Sequence, residues 1–232
     1  MNLHRYRFSI IGRLAASIVA IALLAGCQST PVASTTELTP DQAPRAILVW
    51  PVIDMAAIYG EQTSAKCPLS GKVFKTAERV PEDTLSVLAK QALESLKQLD
   101  GITVLPPGQA RGAVSGLWEQ NPQGLTPKQE MIEVARSVKA DAVLVTAIYR
   151  FRQRVGNAYG VDRPASLAMS VYLFKSPSGQ RLWSAQYDET QRSLLENLFQ
   201  IDSFVKRKGV WVTADEMASG AMADMLARFP MH

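Results

Sequence analysis

Histidine is almost absent from this 232-residue chain, since the two present are His4 and His232, at opposite ends. Neither is placed to sit in a built site, which excludes serine and cysteine triads and histidine-based zinc centres. Cysteine is as scarce, with Cys27 and Cys67 alone. In "AKCPLSG" Ser70 stands where a C-x-x-C pair would carry its second thiol, so neither a redox dithiol nor a metal knuckle is available, and Cys67 reads as a buried structural thiol. No phosphate-binding loop, nucleophile elbow or EF-hand pattern occurs, and neither cofactor nor metal is implied. The longest uncharged apolar run, Leu14 to Gly26, has 13 residues. As a helix it would span about 20 Å, short of the roughly 30 Å hydrocarbon core of a bilayer, so a secretory signal is the better reading than a transmembrane anchor.

What is present begins with that signal. Arg5, Arg7 and Arg13 precede or open the apolar run, the charge pattern of an export signal. The run ends in Leu24-Ala25-Gly26-Cys27, which resembles the lipobox of bacterial lipoproteins. The resemblance implies cleavage before Cys27, whose thiol takes a diacylglyceryl group and whose freed amine is acylated. Small residues at Ala25 and Gly26 let the extended backbone enter the peptidase. Residues 1–26 are then the signal peptide, and the mature chain holds 206 residues, 232 less 26. Multiple acyl chains on Cys27 would hold the protein at a membrane, since two chains suffice for stable anchoring. With Gln28 and not aspartate after the cysteine, the resemblance implies an outer-membrane anchor facing the periplasm where the source has two membranes.

Removing the signal changes the charge balance. The chain has 25 Lys+Arg against 21 Asp+Glu. Three arginines and no acid leave with the signal, so the mature balance is 22 against 21. The sequence pI near 9.1 therefore belongs largely to the export signal, and no concentrated basic footprint calls for nucleic acid. Residues 27–44 carry "QSTPVASTTELTPDQAP", rich in Ser, Thr and Pro without apolar periodicity, and read as a lipidated tether or linker.

Residues 45–232 read as one globular α/β domain, consistent with 47% hydrophobic and 20% charged residues, enough for one sizeable core. "RAILVWPVID" reads as a first strand with Pro51 marking an edge or bulge. A loop follows to about Val80. "PEDTLSVLAKQALESLKQLDG" places Leu85, Leu88, Ala92, Leu96 and Leu99 at helical spacing between Pro81 and Gly101. "ITVL" reads as a short strand. "TPKQ" at Thr126 to Gln129 is a capping-box start to a second helix, and Thr213 with Glu216 another. Ala140 to Phe151, "ASLAMSVYLFKS" and "RLWSAQYDET" read as three strands, the last two joined by a turn at Ser176 to Gly179. Helices are expected over 194–205 and 213–229. The fold class expected is a mixed sheet, with a βαβ-type first half, an antiparallel meander in the second, and helices packed on it.

That element order, from Arg45 to about Phe229, resembles a group of periplasmic proteins that includes the penicillin-binding-protein activator lipoproteins, the curli-secretion lipoprotein and the N-terminal domain of the Tol translocation protein. "AYGVDRPAS" (158–166) and "DETQRSL" (188–194) also resemble segments of other lipoproteins, which implies a shared fold and no particular chemistry.

The candidate contact residues are Arg150, Arg152, Arg154, Tyr159, Asp162 and Arg163. Strand alternation would put the three arginines Arg150, Arg152 and Arg154 on one face, with Tyr149 and Phe151 on the other. Asp188 is a cross-strand ion-pair partner. "RQRVGNAYGVDRPAS" is a long meander connection, with Gly156 and Gly160 giving turn freedom and Pro164 restricting its approach to the next strand. Trp183 and Tyr187 share strand parity and read as core. Of the carboxylate pairs, Asp188-Glu189 is explained by ion pairing and Asp215-Glu216 by a helix start. The expected function is a non-catalytic binding or assembly module that contacts an envelope protein. The alternative is a carboxylate-based envelope hydrolase or a carbohydrate-binding enzyme.

Overall fold

Eleven strands and five helices form in the residues that the computed structural model describes, 32–39, 43–120, 124–158, 160–191 and 211–230. The lipobox at 24–27, Tyr159 and the helix expected over 194–205 lie outside these residues. In chain order the elements are β1 (Val32–Thr36), β2 (Ala46–Val49), β3 (Ile53–Asp54), α1 (Met55–Tyr59), β4 (Ser64–Lys66), β5 (Val73–Lys75), α2 (Glu82–Lys97), β6 (Thr103–Leu105) and α3 (Pro107–Gln120). They continue as α4 (Pro127–Ser137), β7 (Ala142–Arg152), β8 (Val155–Gly156), β9 (Val161–Arg163), β10 (Ser166–Lys175), β11 (Arg181–Thr190) and α5 (Ala214–Leu226).

β7 organises the sheet because "AVLVTAI" is apolar on both faces, as a strand covered on both sides must be. The order is β1-β11-β10-β7-β2-β6. β7, β10, β11 and β1 pair antiparallel, whereas β2 and β6 run parallel to β7 and to each other. The mixed α/β sheet is as expected. β2 and β3 lie along the same side of β7, at Ala142 to Leu144 and at Ala147 to Ile148. Pro51 interrupts them, having no N–H for the ladder.

Two cores fill the two faces. On one, Leu88, Ala92 and Leu96 of α2 and Met217, Ala221 and Met225 of α5 pack over Ile47, Leu144, Val171 and Trp183. On the other, Met131, Ile132, Val134 and Ala135 of α4 cover Leu48, Val143, Val145 and Phe174. Trp183 and Tyr187 are core residues, with the Trp183 and Phe229 rings edge to face at 5.1 Å. Both capping boxes form. Thr126 accepts from the Gln129 N–H at 3.3 Å while Gln129 Oε1 accepts from the Thr126 N–H at 3.0 Å. Thr213 and Glu216 repeat the arrangement at 3.1 and 2.7 Å. Pro81 stands at the N-cap position of α2 without a side-chain capping bond, and Glu82 and Asp83 lie in the first turn, where the helix dipole favours negative charge.

The structure corrects the tether. Val32–Thr36, inside the segment 27–44, is the edge strand β1, paired from Val32↔Tyr187 to Thr36↔Trp183. Periodicity could not reveal it, because its one apolar anchor is Val32, buried at 3% exposure, and the next four residues face solvent. What orders them is polar: Trp183 Nε1 donates to Ser34 Oγ at 3.0 Å, Thr35 and Ser184 hydroxyls meet at 2.9 Å, and the Glu37 N–H donates to Leu182 O at 2.7 Å. The expected loop to Val80 is also structured. It holds α1, capped by Asp54 Oδ1 accepting from the Ala56 N–H at 2.9 Å, and the β4–β5 hairpin.

Candidate contact site: residues 150–163 and the adjoining cleft

The arginine face expected from alternation does not form as a simple row. Ala168 pairs with Arg150 and Met169 with Ile148, so Tyr149 is an extra residue, a β-bulge. A bulge of this kind bends the strand and re-aims the side chains beyond it. Tyr149 and Arg150 consequently share one face, while Phe151 turns into the core beneath α2 and α5.

Arg150 is committed to its own sheet. Its Nε donates to Ser166 Oγ at 2.7 Å, one Nη2 contact goes to Leu167 O at 3.4 Å, and it pairs with Asp188 on β11, two strands away. Arg152 lies opposite Ser166 with its Nε buried and without an acceptor among the described residues. Arg154 Nη1 donates to Trp211 O at 2.7 Å, and the Trp211 N–H donates to Ala158 O at 2.9 Å. Arg163 pairs with Glu78 at 2.7 Å. Glu78 Oε2 also accepts from the Gln153 N–H at 3.1 Å, and the Glu78 N–H donates to Phe151 O at 2.8 Å.

These bonds fasten the hairpin of β8 against β9 on one side to residue 78 and on the other to residue 211. Its turn closes where the Asn157 N–H donates to Gly160 O at 2.8 Å and Asn157 Oδ1 accepts from the Gly160 N–H at 3.1 Å. Gly156 has φ +118°, and a Cβ there would meet Gly160 O at 2.4 Å and Val161 Cα at 2.8 Å, so no other residue fits. Gly160, expected to supply similar freedom, has an ordinary φ and open space around it. Val155, Asp162 and Arg163 are exposed. Thus Arg154 and Arg163 hold the hairpin, Asp162 lies on its exposed surface, and Arg150 belongs to a separate feature.

That feature is a cleft of about 250 Å³ between the β4–β5 hairpin and the β7-β10-β11 face. Its wall and floor include Phe74, Tyr149 and Tyr172, and Lys72, Lys75 and Arg150 bring positive charge. Cys67 Sγ lies 3.4 Å from the Tyr149 hydroxyl, which is 2.9 Å from the Tyr172 hydroxyl. Cys67 is buried, as the sequence leads one to expect. Burial is the main cause that pushes the Tyr149 phenol far above its ordinary range, with Tyr172 and Cys67 adding to it. This group was not legible in the sequence, because Cys67, Tyr149 and Tyr172 are brought together only by pairing and the bulge.

The carboxylates are spent on structure. Asp188 is 71% exposed and paired with Arg150, whereas its neighbour Glu189 is buried and accepts from the Tyr187 hydroxyl at 2.7 Å, on the opposite side of the strand. Asp215 accepts from Thr84 Oγ1 and Gln153 Nε2, and Glu216 closes the α5 cap. Asp54 Oδ2 accepts from the Val80 N–H at 3.0 Å. Among the described residues no group of three or more His, Cys, Asp or Glu could hold a metal ion.

No family model matches the chain, and no curated protein matches it. Solved structures of similar form include the PelC dodecamer from Paraburkholderia phytofirmans, at 16% identity over 84% of this chain and 94% of that one, with a TM-score of 0.41. The C-terminal domain of LpoB from Salmonella enterica is 18% identical over 63% of this chain and 82% of that one, with a TM-score of 0.39. Lipoprotein GNA1162 from Neisseria meningitidis is 17% identical over 70% of this chain and 96% of that one, with a TM-score of 0.33. These are likenesses of overall form, and the functional reading rests on this chain's own residues.

Proposed function

We propose that this chain is a lipid-anchored cell-envelope protein whose α/β domain is a non-catalytic contact module for an envelope protein. The observation that carries the non-catalytic reading is the use of the carboxylates. Asp54, Asp188, Asp215 and Glu216 serve as caps or partners, and the cleft beside β4–β5 is lined by one carboxylate, Asp188, where acid/base chemistry of the paired kind requires two. The contact reading draws on the β8–β9 hairpin, whose Val155, Asp162 and Arg163 are exposed, because a hairpin held by bonds on both sides presents a surface without the entropy loss of ordering it on binding.

The lipobox supports the anchor, with Cys27 acylated, and the Gln28 that follows it supports an outer-membrane site facing the periplasm. β1 begins at Val32, five residues after Cys27. At about 3.4 Å per residue, the anchor atom and the sheet edge are then within about 17 Å.

Two measurements test this reading. Changing Cys27 to Ser should move the protein from the membrane to the soluble fraction, and a membrane-bound variant would refute the anchor. Mild crosslinking of intact envelopes followed by purification of the anchored protein should recover a stoichiometric envelope partner, and recovery of none would refute the contact function.

A further inference from the structure

The cleft beside β4–β5 has properties that a partner-binding hairpin does not require. Its hydrogen bonding does not close on itself. Tyr149, Tyr172 and Cys67 carry one hydroxyl or thiol hydrogen each. The two contacts that link them use two of the three hydrogens. The third has no acceptor among the described residues, although Tyr172 and Cys67 are 1% and 2% exposed and both line the cleft. An oxygen that enters the cleft can accept it. Because burial keeps the Tyr149 hydroxyl protonated well into the alkaline range, this floor offers a donor and not a negative phenolate.

The charges around the cleft ask for the same complement. Lys72 Nζ donates to Gln186 Oε1 at 3.2 Å, which occupies one of three ammonium hydrogens. Lys75 adds a second cation, and the Arg150 charge is balanced by Asp188. The lining is therefore net positive by two, over an aromatic wall in which the Phe74 and Tyr149 rings are 5.0 Å apart. At about 250 Å³ the cleft is below the roughly 300–1,000 Å³ range of drug-sized sites, so its ligand is small.

We propose that this cleft binds a small organic oxyanion, with the anionic oxygens against Lys72, Lys75 and the tyrosine hydroxyls and a planar or apolar body against Phe74. Carboxylates and phosphate monoesters share this chemistry. The proposal is independent of the envelope partner, since the hairpin residues Arg154, Asp162 and Arg163 do not line the cleft.

The test is a titration of the mature chain at low ionic strength with benzoate, phenyl phosphate and the neutral benzamide, followed by calorimetry and backbone amide shifts. At least one anion should bind at least tenfold more tightly than benzamide, with shifts concentrated at residues 72–74 and Ser170. Benzoate tighter than phenyl phosphate assigns a carboxylate ligand, and the reverse order assigns a phosphate ester. The double change Lys72→Gln with Lys75→Gln should weaken the preferred anion at least tenfold, whereas Lys90→Gln, on the exposed side of α2, should leave it unchanged. Lys72 and Lys75 are both exposed, so the double variant keeps the fold, and Tyr172→Phe gives a second reading with an expected loss of about fivefold. Equal binding of benzamide, binding of none of the three, or an unaltered affinity in the double variant would overturn the proposal.

Discussion

Ser34 and Val32 provide the sharpest test of the described fold, because a free linker and an edge strand predict opposite results there. Ser34 is exposed, yet its Oγ accepts the indole N–H of Trp183, a core residue at 1% exposure whose ring is held edge to face by Phe229. Ser34→Ala removes that acceptor from a ring unable to turn toward another. Water can reach the position, so the cost falls at about 1 kcal/mol, the low end of the range for an orphaned donor. Val32→Ala removes two methyl groups from a fully buried site, which costs about 2 kcal/mol from transfer and residual cavity together. For a domain of this size about 1 kcal/mol shifts Tm by roughly 2–4 °C, so the two variants should melt about 3 °C and 6 °C lower. Urea unfolding followed by circular dichroism gives the energies. Hydrogen exchange gives the location, since the Glu37 amide, bonded to Leu182 O, should be protected. Changes below about 0.3 kcal/mol in both variants, with Glu37 exchanging as fast as an unstructured peptide, would refute the strand.

Other consequences follow from the bulge and the hairpin. Tyr149 keeps its proton in the folded protein above the ordinary value near 10, so above that pH the unfolded chain binds fewer protons and stability declines as pH rises. One such group contributes at most about 1.4 kcal/mol per pH unit, a slope approached only once the unfolded phenol is ionised, so Tyr149→Phe should flatten the fall measured by urea unfolding between pH 10 and 11 by about 1 kcal/mol. Equal slopes in the two proteins would contradict the assignment. Gly156→Ala forces a Cβ into Gly160 O and should open the hairpin at a cost of about 1–3 kcal/mol. It should speed exchange at the Asn157 amide while leaving α2 amides protected, and an unchanged Asn157 rate would show that the turn tolerates the side chain.

How much of this was legible in the sequence depended on whether a local signal and the tertiary environment agreed. α2, α4 and α5 announce themselves through spacing and caps, and β7, β10 and β11 through apolar runs long enough to be central strands. The polar edge strand β1 was hidden, because its order comes from Trp183, Ser184 and Leu182, about 150 residues away in the chain. α3 carries Gly108, Gly112 and Gly116, which weaken helix propensity and interrupt any stripe. The Arg150–Asp188 pair was legible from strand parity, whereas the bulge at Tyr149 was not, and one extra residue was enough to bring Tyr149 and Arg150 onto the same face. The hairpin's importance could be suspected from its length, but its fastening by Glu78 and Trp211 depends on contacts that no local pattern encodes.

The central claim is that the anchored domain meets an envelope protein through the hairpin 155–163. A photocrosslinking amino acid placed at Asp162 in the full chain, expressed in intact envelopes, tests it directly, with the same group at Lys90 on α2 as the comparison. The account predicts one discrete adduct from position 162, absent from position 90 and diminished when Cys27 is changed to Ser. Adducts of equal yield and pattern from both positions, or none from position 162, would contradict it.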